Sequence, residues 1–166
     1  MELEVIKHRD ILFRDILRAI AVKSVAWPHP VESQVKWIID NIDIEDEHVF
    51  LKEGSKDLAY MNLVKVSFTA NDADFMAYGI GNVCAAEKGK GYGRELMNRV
   101  NDYLKEKMSC GLLFCKDTLV PFYKLYGWEE VKRDVCEEPV LAEGVHVMTY
   151  LAPERIVSFK YQGKVF

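Results

Sequence analysis

A short stretch rich in glycine and in basic residues offers the most specific chemistry in this sequence. Its glycines stand at alternate positions, Gly89, Gly91 and Gly93, where the missing side chains allow sharp bends and close approach of a ligand. The amphipathic pattern that follows predicts a helix, so the stretch ends on amides without intrahelical partners and on the positive end of a helix dipole. Three cations lie in the same place: Lys88, Lys90 and Arg94. We therefore expect the stretch to bind phosphate.

Two common phosphate-binding motifs do not fit this stretch. The P-loop requires Ser or Thr after Gly-Lys, but Lys90 is followed by Gly91. The dinucleotide-binding fingerprint requires glycine at the last position of G-x-G-x-x-G, where this chain has Arg94. What remains is a basic residue, Lys88, followed by x-x-Gly-x-Gly between a predicted strand and a predicted helix.

The remaining pattern, from Lys88 to Gly93, resembles the acetyl-CoA loop of the GCN5-related N-acetyltransferases, with lysine where that family usually has arginine or glutamine. A second stretch, from Pro121 to Trp128, resembles the family's later motif, in which an aromatic residue and a tyrosine precede Gly-Phe or Gly-Trp. The order of predicted elements agrees as well, over residues 3–152. Residues 114–128 look most like the aminoglycoside 2′-N-acetyltransferase-like branch.

The resemblance implies acetyl-CoA as co-substrate, direct transfer of its acetyl group to an amine, and a set of residues that bind it. The strand from Gly81 to Ala85 would pair with the pantetheine arm, and the amide of Val83 or its neighbour would polarise the thioester carbonyl. Backbone amides from Gly89 to Arg94 would hold the pyrophosphate. The implied cofactor-binding residues are Gly81, Asn82, Val83, Cys84, Ala85, Lys88, Gly89, Lys90, Gly91, Tyr92, Gly93 and Arg94.

The same resemblance implies that Tyr123 is the acid that protonates the departing thiolate. A phenol with a pKa near ~10 can donate to a thiolate whose thiol has a pKa near ~8.5. Packing of Tyr123 in the core beside Phe122 is the alternative, and Tyr126 is a second candidate donor. In this region the sequence departs from the family, because Cys115, Lys116 and Asp117 stand where many relatives place an asparagine.

The general base stays open. A water chain without a dedicated base is one alternative, and the candidate side chains are Asp72, Asp74, Glu87, Asp117, His29 and His146. A covalent intermediate on Cys84 is disfavoured, because no histidine lies near it in sequence to activate the thiol. Three acidic residues could favour a polycationic acceptor or could simply form a solvated loop: Glu137, Glu138 and Glu143.

Hydrophobic periodicity predicts the elements that position these residues. We expect strands near 2–7, 49–51, 58–69, 75–85, 111–115, 128–133 and 145–151. Helices are expected from residue 10 on a stripe of Phe13, Ile16, Leu17 and Ile20, over 31–42, and from 96 to 107, with a further one capped by Thr118 and ended by Gly127. The pattern indicates an α/β fold, and the resemblance makes it a mostly antiparallel mixed sheet with helices on both faces and a splayed cofactor-binding strand.

Composition limits the classes of function. The 166 residues predict one domain, 1–166, whose residues 153–166 form a tail with little pattern. A net charge of −4 argues against nucleic acid as the main partner. No apolar run approaches the ~20 residues of a membrane span, and the acidic start of the chain does not resemble a signal peptide. The four cysteines lack metal-ligand spacing and are expected to be reduced, so we predict a cytoplasmic protein without a metal.

The sequence thus predicts an N-acetyltransferase with a small-molecule amine acceptor, acting as a monomer or homodimer. The alternative is an inactive acyl-CoA-binding module or regulatory subunit that keeps the fold.

Overall fold

A computed structural model describes residues 1–137, 142–164 and 166. Within these ranges the strands are β1 (Glu2–Lys7), β2 (Glu47–Glu53), β3 (Lys56–Ala70), β4 (Ala73–Ala85), β5 (Cys110–Lys116), β6 (Glu129–Val131), β7 (Val145–Tyr150) and β8 (Phe159–Lys160). The α-helices are α1 (Phe13–Ala26), α2 (Val31–Asn41), α3 (Tyr92–Glu106) and α4 (Val120–Lys124). None of the helices in the described part combines the length and the apolar character that a membrane span needs.

The chain divides into two compact units. Unit 1 comprises Met1–Val64 and Gly81–Val100, and unit 2 comprises Lys65–Ile80 and Asn101–Phe166. Each unit takes residues from two stretches because the long strands β3 and β4 run through both. That the chain is a single domain remains a prediction.

In unit 1 the strand order is β1-β2-β3-β4, and β1 and β3 both pair with β2 in antiparallel fashion. Two apolar clusters hold the helices. Ala19 and Val22 of α1 pack with Phe50, Tyr60 and Cys84. The second cluster consists of Ile20, Ile38 and Ile42.

Helix α1 is where predicted, but only part of the predicted stripe is buried: Ile20 is 3% exposed and Ile16 packs beside it, whereas the buried face extends instead to Ala19 and Val22. Phe13 and Leu17 are exposed, at 66% and 40%. The reason is Arg18, whose guanidinium lies 4.3 Å from the centroid of the Phe50 ring and donates to Asp57, with distances of 2.7 and 2.8 Å. It also donates to Glu4 and Asp15, so the face expected to point to solvent lies on the sheet.

In unit 2 the order is β3-β4-β5-β7-β6, with β8 paired to β3. β4 and β5 are parallel and the pairs β5–β7 and β7–β6 are antiparallel, which confirms the mixed sheet. Trp128 is 1% exposed and occupies the space where Gly111 lacks a Cβ, which would lie 2.4 Å from the indole ring. The indole Nε1 donates to Asn101 Oδ1 at 3.0 Å.

Two features of unit 2 differ from expectation. Helix α4 begins after Leu119 without a side-chain cap, and Thr118 lies in a preceding 3₁₀ turn, so the predicted Thr118 cap is wrong. The helix also ends at Lys124, because the next amides bond three residues back in tighter turns before Gly127 adopts a φ of 77°. The tail, for which no element was predicted, supplies β8, and Phe166 lies against Gly79 of β4.

Candidate functional site

The strand predicted to bind the cofactor carries a local distortion. The parallel ladder between β4 and β5 has three residue pairs and ends at Gly79 and Leu112, so it does not use the backbone of Gly81–Ala85. Within that segment Asn82 has a φ of 54°, a left-handed conformation that is rare for a residue inside a strand. A left-handed residue interrupts the regular strand geometry and re-aims the neighbouring peptide groups, and we call this distortion at Asn82 the bulge. The amide of Val83, the predicted oxyanion donor, adjoins this bulge.

Buried polar groups hold the bulge in place. The Asn82 side chain donates to Asn62 Oδ1 at 2.5 Å, and Asn62 is fully buried on β3. Asn62 Nδ2 is itself buried and has no hydrogen-bond partner in the described part of the chain. Unpaired buried donors are uncommon and tend to mark places where a partner is missing.

The glycine loop links this bulge to helix α3. Gly89 and Gly91 have φ values of 75° and 77°, which side-chain-bearing residues adopt only with strain, and the space where their Cβ atoms would stand is open. Gly93 lies in the first turn of α3 and does not form part of the bend. The first helical hydrogen bond runs from the Glu95 amide to Gly91 O at 3.1 Å, which leaves the three preceding amides without intrahelical partners.

The charges around the loop suit an anion. Glu87 at the start of the loop is paired with Lys56 at 2.7 Å. Lys88, Lys90 and Arg94 are exposed, and none of them forms an ion pair within the described ranges. The loop therefore presents unpaired positive charge together with free amides, which is the chemistry that a pyrophosphate requires.

Cys84, on the same strand, has the properties of a structural residue. It is buried, its thiol donates to Tyr60 O at 3.6 Å, and burial raises its pKa to about 12. A thiol with so high a pKa stays protonated at neutral pH and is a poor nucleophile. This agrees with the expectation that no covalent intermediate forms on Cys84.

A cavity of about 420 Å³ in unit 1 opens against the bulge. Its lining includes Lys23, Trp27, His29, Gln34, Trp37 and Asn82. The prolines of Trp27-Pro28-His29-Pro30 separate α1 from α2, as the sequence predicts, and bring the end of one helix and the start of the other to the same cavity. Of the predicted base candidates, His29 is in this lining.

Tyr123, the predicted acid, lies in unit 2, on α4. It is 6% exposed and packs against Phe122 and Trp128, with ring centroids 5.2 and 6.3 Å away. Burial raises its pKa, with a smaller contribution from nearby Cys115. The phenol therefore remains protonated over the physiological range, as an acid must before it donates.

The other base candidates are held in separate places. Asp117 and His146 are hydrogen bonded to each other in unit 2, and Glu87 is paired with Lys56 in unit 1. Asp72 is at the tip of the β3–β4 hairpin, with the left-handed φ of 62° expected there, and Asp74 accepts from Thr69 at 2.8 Å.

Two of the three acidic residues named as a possible polycation site lie within the described part of the chain. Glu137 approaches Lys160 at 3.6 Å, Glu143 lies in an exposed turn, and Glu138 is outside the described residues.

Sequence reasoning missed two buried polar residues of the cavity, Lys23 and Gln34, which are 5% and 4% exposed. Lysine and glutamine in an amphipathic helix ordinarily lie on its solvent-facing side, so these residue types gave no indication of burial. The available signal was the Trp27-Pro28-His29-Pro30 break, because a short connection between two helices brings their adjoining ends together.

Comparisons with known proteins identify the fold. No protein-family model matches the chain, and no curated protein matches it either. Among solved structures, an acyl-CoA N-acyltransferase from Pseudomonas aeruginosa superposes with a TM-score of 0.63 at 16% identity, covering 90% of this chain and 99% of that one. Escherichia coli ElaA gives a TM-score of 0.61 at 16% identity, covering 89% and 97%.

A third similar structure was determined with coenzyme A. The catalytic domain of the Tetrahymena GCN5 histone acetyltransferase gives a TM-score of 0.59 at 16% identity and covers 93% of this chain and 95% of that one. These similarities confirm the predicted GCN5-related acyl-CoA N-acyltransferase fold. At such low identity they establish the fold alone.

Proposed function

We propose that this protein is an N-acetyltransferase that moves an acetyl group directly from acetyl-CoA to the primary amine of a small molecule. The observation that carries the proposal is the loop between β4 and α3. It joins unpaired cations and free helix amides to a strand bulge, in the fold that acyl-CoA N-acyltransferases share. An ordinary turn before a helix has no need of left-handed glycines flanked by three unpaired basic side chains.

Residues of the loop and of the strand would bind different parts of acetyl-CoA. Backbone amides from Gly89 to Arg94 would hold the pyrophosphate, assisted by Lys88 and Lys90. The backbone of Gly81–Ala85 would pair with the pantetheine arm, since the β4–β5 ladder ends before it. Acetyl-CoA supplies an acetyl group activated as a thioester.

The proposed reaction needs three proton and charge movements. The neutral amine of the acceptor attacks the thioester carbonyl while the Val83 amide stabilises the developing negative charge on its oxygen. The carbon–sulfur bond breaks and Tyr123 gives its phenolic proton to the thiolate. The extra proton on the new amide nitrogen leaves to a base or a water chain. Burial keeps the Tyr123 phenol protonated at neutral pH, as a proton donor must be, but it also makes the phenol a weaker acid.

The acceptor is proposed to be an aminoglycoside-like compound or another small amine, on the strength of the sequence resemblance in residues 114–128. We further propose that the protein acts in the cytoplasm as a monomer or homodimer, without nucleic acid, membrane or metal as partner. No group of three or more metal-ligating side chains is found among the described residues.

Calorimetry with acetyl-CoA, followed by a thiol-release assay over a panel of amines, tests the proposal. The double variant Lys88→Glu, Lys90→Glu should weaken acetyl-CoA binding by about 10-fold or more, because each reversal replaces an attraction for phosphate by a repulsion. Lys132→Glu, an equal change of charge per site at an exposed lysine of unit 2, is the matched control and should leave affinity unchanged. Failure of the wild-type protein to bind acetyl-CoA would overturn the proposal, and binding without turnover would favour the inactive module.

A separate variant tests the role of Tyr123 as the acid. Tyr123→Phe should lower kcat by about 10²- to 10⁴-fold while the dissociation constant of acetyl-CoA stays the same. Tyr126→Phe removes a hydroxyl three residues later and is the control for the alternative donor. If Tyr123→Phe keeps the full rate and Tyr126→Phe loses it, the donor is Tyr126.

A further inference from the structure

The cavity beside Asn82 contains a hydrogen-bond acceptor whose partner is missing. The Gln34 side chain is 4% exposed, and its Nε2 donates to Ser24 Oγ at 2.9 Å and to the carbonyl oxygen of His29 at 3.0 Å. A carbonyl oxygen can only accept, so this pair of bonds fixes which end of the amide is nitrogen. Gln34 Oε1 is left buried without a partner in the described part of the chain. A ligand that brings an N–H group to the cavity would satisfy it.

The same cavity contains a positive charge whose counter-ion is missing. Lys23 is 5% exposed, and its ammonium group lies 4.3 Å from the centroid of the Trp37 ring. The aromatic face stabilises the cation from one side. No carboxylate pairs with Lys23 within the described ranges, and burial lowers its pKa against a smaller opposing contribution from Cys84. A carboxylate on a ligand would supply the missing partner.

The described lining of the cavity contains aromatic side chains and no acidic ones. Trp27 and Trp37 both line it, and none of the described lining residues is Asp or Glu. Its volume of about 420 Å³ falls in the range of small-molecule sites. A polycation would gain no ion pair here and would be repelled by Lys23, whereas a flat apolar body would be buried against two indole rings.

The position of the cavity connects it to the proposed chemistry. Asn82 contributes to the lining, and the next residue on β4 is Val83, whose amide is the proposed oxyanion donor. A molecule held in the cavity therefore lies against the segment of β4 at which transfer is proposed.

We propose that the cavity binds the acetyl acceptor and that the acceptor is an amino-carboxylate with a flat apolar body, such as an aromatic amino acid. Lys23 binds its carboxylate, Gln34 Oε1 accepts from its amine, and Trp27 and Trp37 contact its body. Identifying this ligand as the acceptor rests on the proposed function, whereas the binding chemistry of the cavity does not.

Intrinsic fluorescence offers a direct test, because two of the three tryptophans line the cavity and the third, Trp128, is buried in unit 2. Four probes are compared on the full chain without acetyl-CoA. Phenylalanine carries all three features, phenylalaninamide lacks the carboxylate, 3-phenylpropionate lacks the amine, and kanamycin is a polycation. Phenylalanine should quench saturably and bind about 10-fold or more tightly than each of the other three.

Variants separate the role of Lys23 from general damage. Lys23→Met keeps the length of the side chain without its charge and should reduce the preference for phenylalanine over phenylalaninamide to about 1-fold. Lys36→Met, at an exposed lysine on α2 with a 76% exposed side chain, should leave that preference intact. Equal affinity of the wild-type protein for phenylalanine and phenylalaninamide, or no saturable quenching by phenylalanine up to about 10 mM, would overturn the proposal, as would tighter binding of kanamycin.

An acetyl-transfer assay with the same probes keeps the two proposals apart. Selective binding of phenylalanine without its acetylation would support the cavity chemistry and count against its assignment as the acceptor site. Acetylation of kanamycin or phenylalaninamide without phenylalanine binding would support the transferase and overturn the amino-carboxylate.

Discussion

Two histidines, one in each unit, have hydrogen bonds at both ring nitrogens yet lie in opposite environments. His48, on β2 in unit 1, is fully buried between the Tyr60 hydroxyl at 2.7 Å and His8 Nδ1 at 2.9 Å. His146, on β7 in unit 2, has a 29% exposed side chain that bonds to Asp117 and, at 2.6 Å, to Glu130. The same side chain thus bonds to a hydroxyl and an imidazole in one unit and to two carboxylates in the other.

The pKa shifts follow from these surroundings and have opposite signs. Burial lowers the pKa of His48 to about 4, and electrostatic contributions from the nearby His8 and Lys23 add to the effect. Hydrogen bonds to Asp117 and then to Glu130 raise the pKa of His146. His48 is therefore neutral but sealed from solvent, whereas His146 is accessible but holds its proton more tightly than an ordinary histidine.

The comparison bears on the search for a general base, which has to be both neutral and within reach of the acceptor. Neither histidine meets both conditions. His29, which lines the cavity with Asn82, is the remaining histidine among the candidates, and its role as base stays a prediction beside the water chain.

The largest expected effect comes from truncating the buried histidine. His48→Ala empties a fully buried site and leaves the Tyr60 hydroxyl, on a residue that is 1% exposed, without its partner. We expect a loss of about 2 to 4 kcal/mol in the free energy of unfolding, measured by urea titration at pH 7. His146→Ala is the control in the other unit. Equal losses in the two variants would show that burial does not distinguish these histidines.

The second expected effect is the pH dependence that His48 confers. Its folded pKa of about 4 lies below the ordinary 6.5, so the unfolded chain binds more protons between these values and the contribution to stability rises with pH across that window. A pKa difference of about 2.5 corresponds to a change of about 3 kcal/mol in the free energy of unfolding across this window. His48→Asn cannot titrate there, so the difference between wild type and variant should grow from pH 4 to 6.5 and stay constant above it. A difference independent of pH would contradict the lowered pKa.

Much of the fold is visible in the sequence because it depends on local patterns. Alternating apolar residues place the strands, and the turn-favouring pair Asn71-Asp72 lies at the β3–β4 hairpin, where its residues adopt φ values of 52° and 62°. The glycine loop is equally local, since left-handed glycines and neighbouring cations are adjacent in the chain. These predictions do not require knowledge of the tertiary contacts.

The features that escaped prediction depend on distant partners. Arg18 faces the sheet because it pairs with Glu4 and Asp57, which lie on other strands. The helical periodicity of α1 contains no information about these distant partners. Lys23 and Gln34 count as solvent-facing residues until the tertiary structure buries them. Their hydrophilic residue types therefore predicted exposure, whereas both side chains are buried at the cavity that adjoins the proposed site.

The smallest expected effect concerns the exposed histidine, and its sign is opposite. Because the pKa of His146 is raised, the folded chain holds the proton more tightly, and the stabilisation is fully present below about pH 6.5 and is lost as pH rises through the folded pKa. His146→Gln keeps hydrogen bonding but not the charge. Because His146 is partly exposed and its charge is screened by solvent, the substitution should lower the free energy of unfolding by less than about 1 kcal/mol at pH 6 and by progressively less toward pH 9. Urea titration at both pH values measures this loss. A cost that increases with pH would mean that Asp117 and Glu130 do not hold the proton, and the contrast with His48 would then reduce to exposure alone.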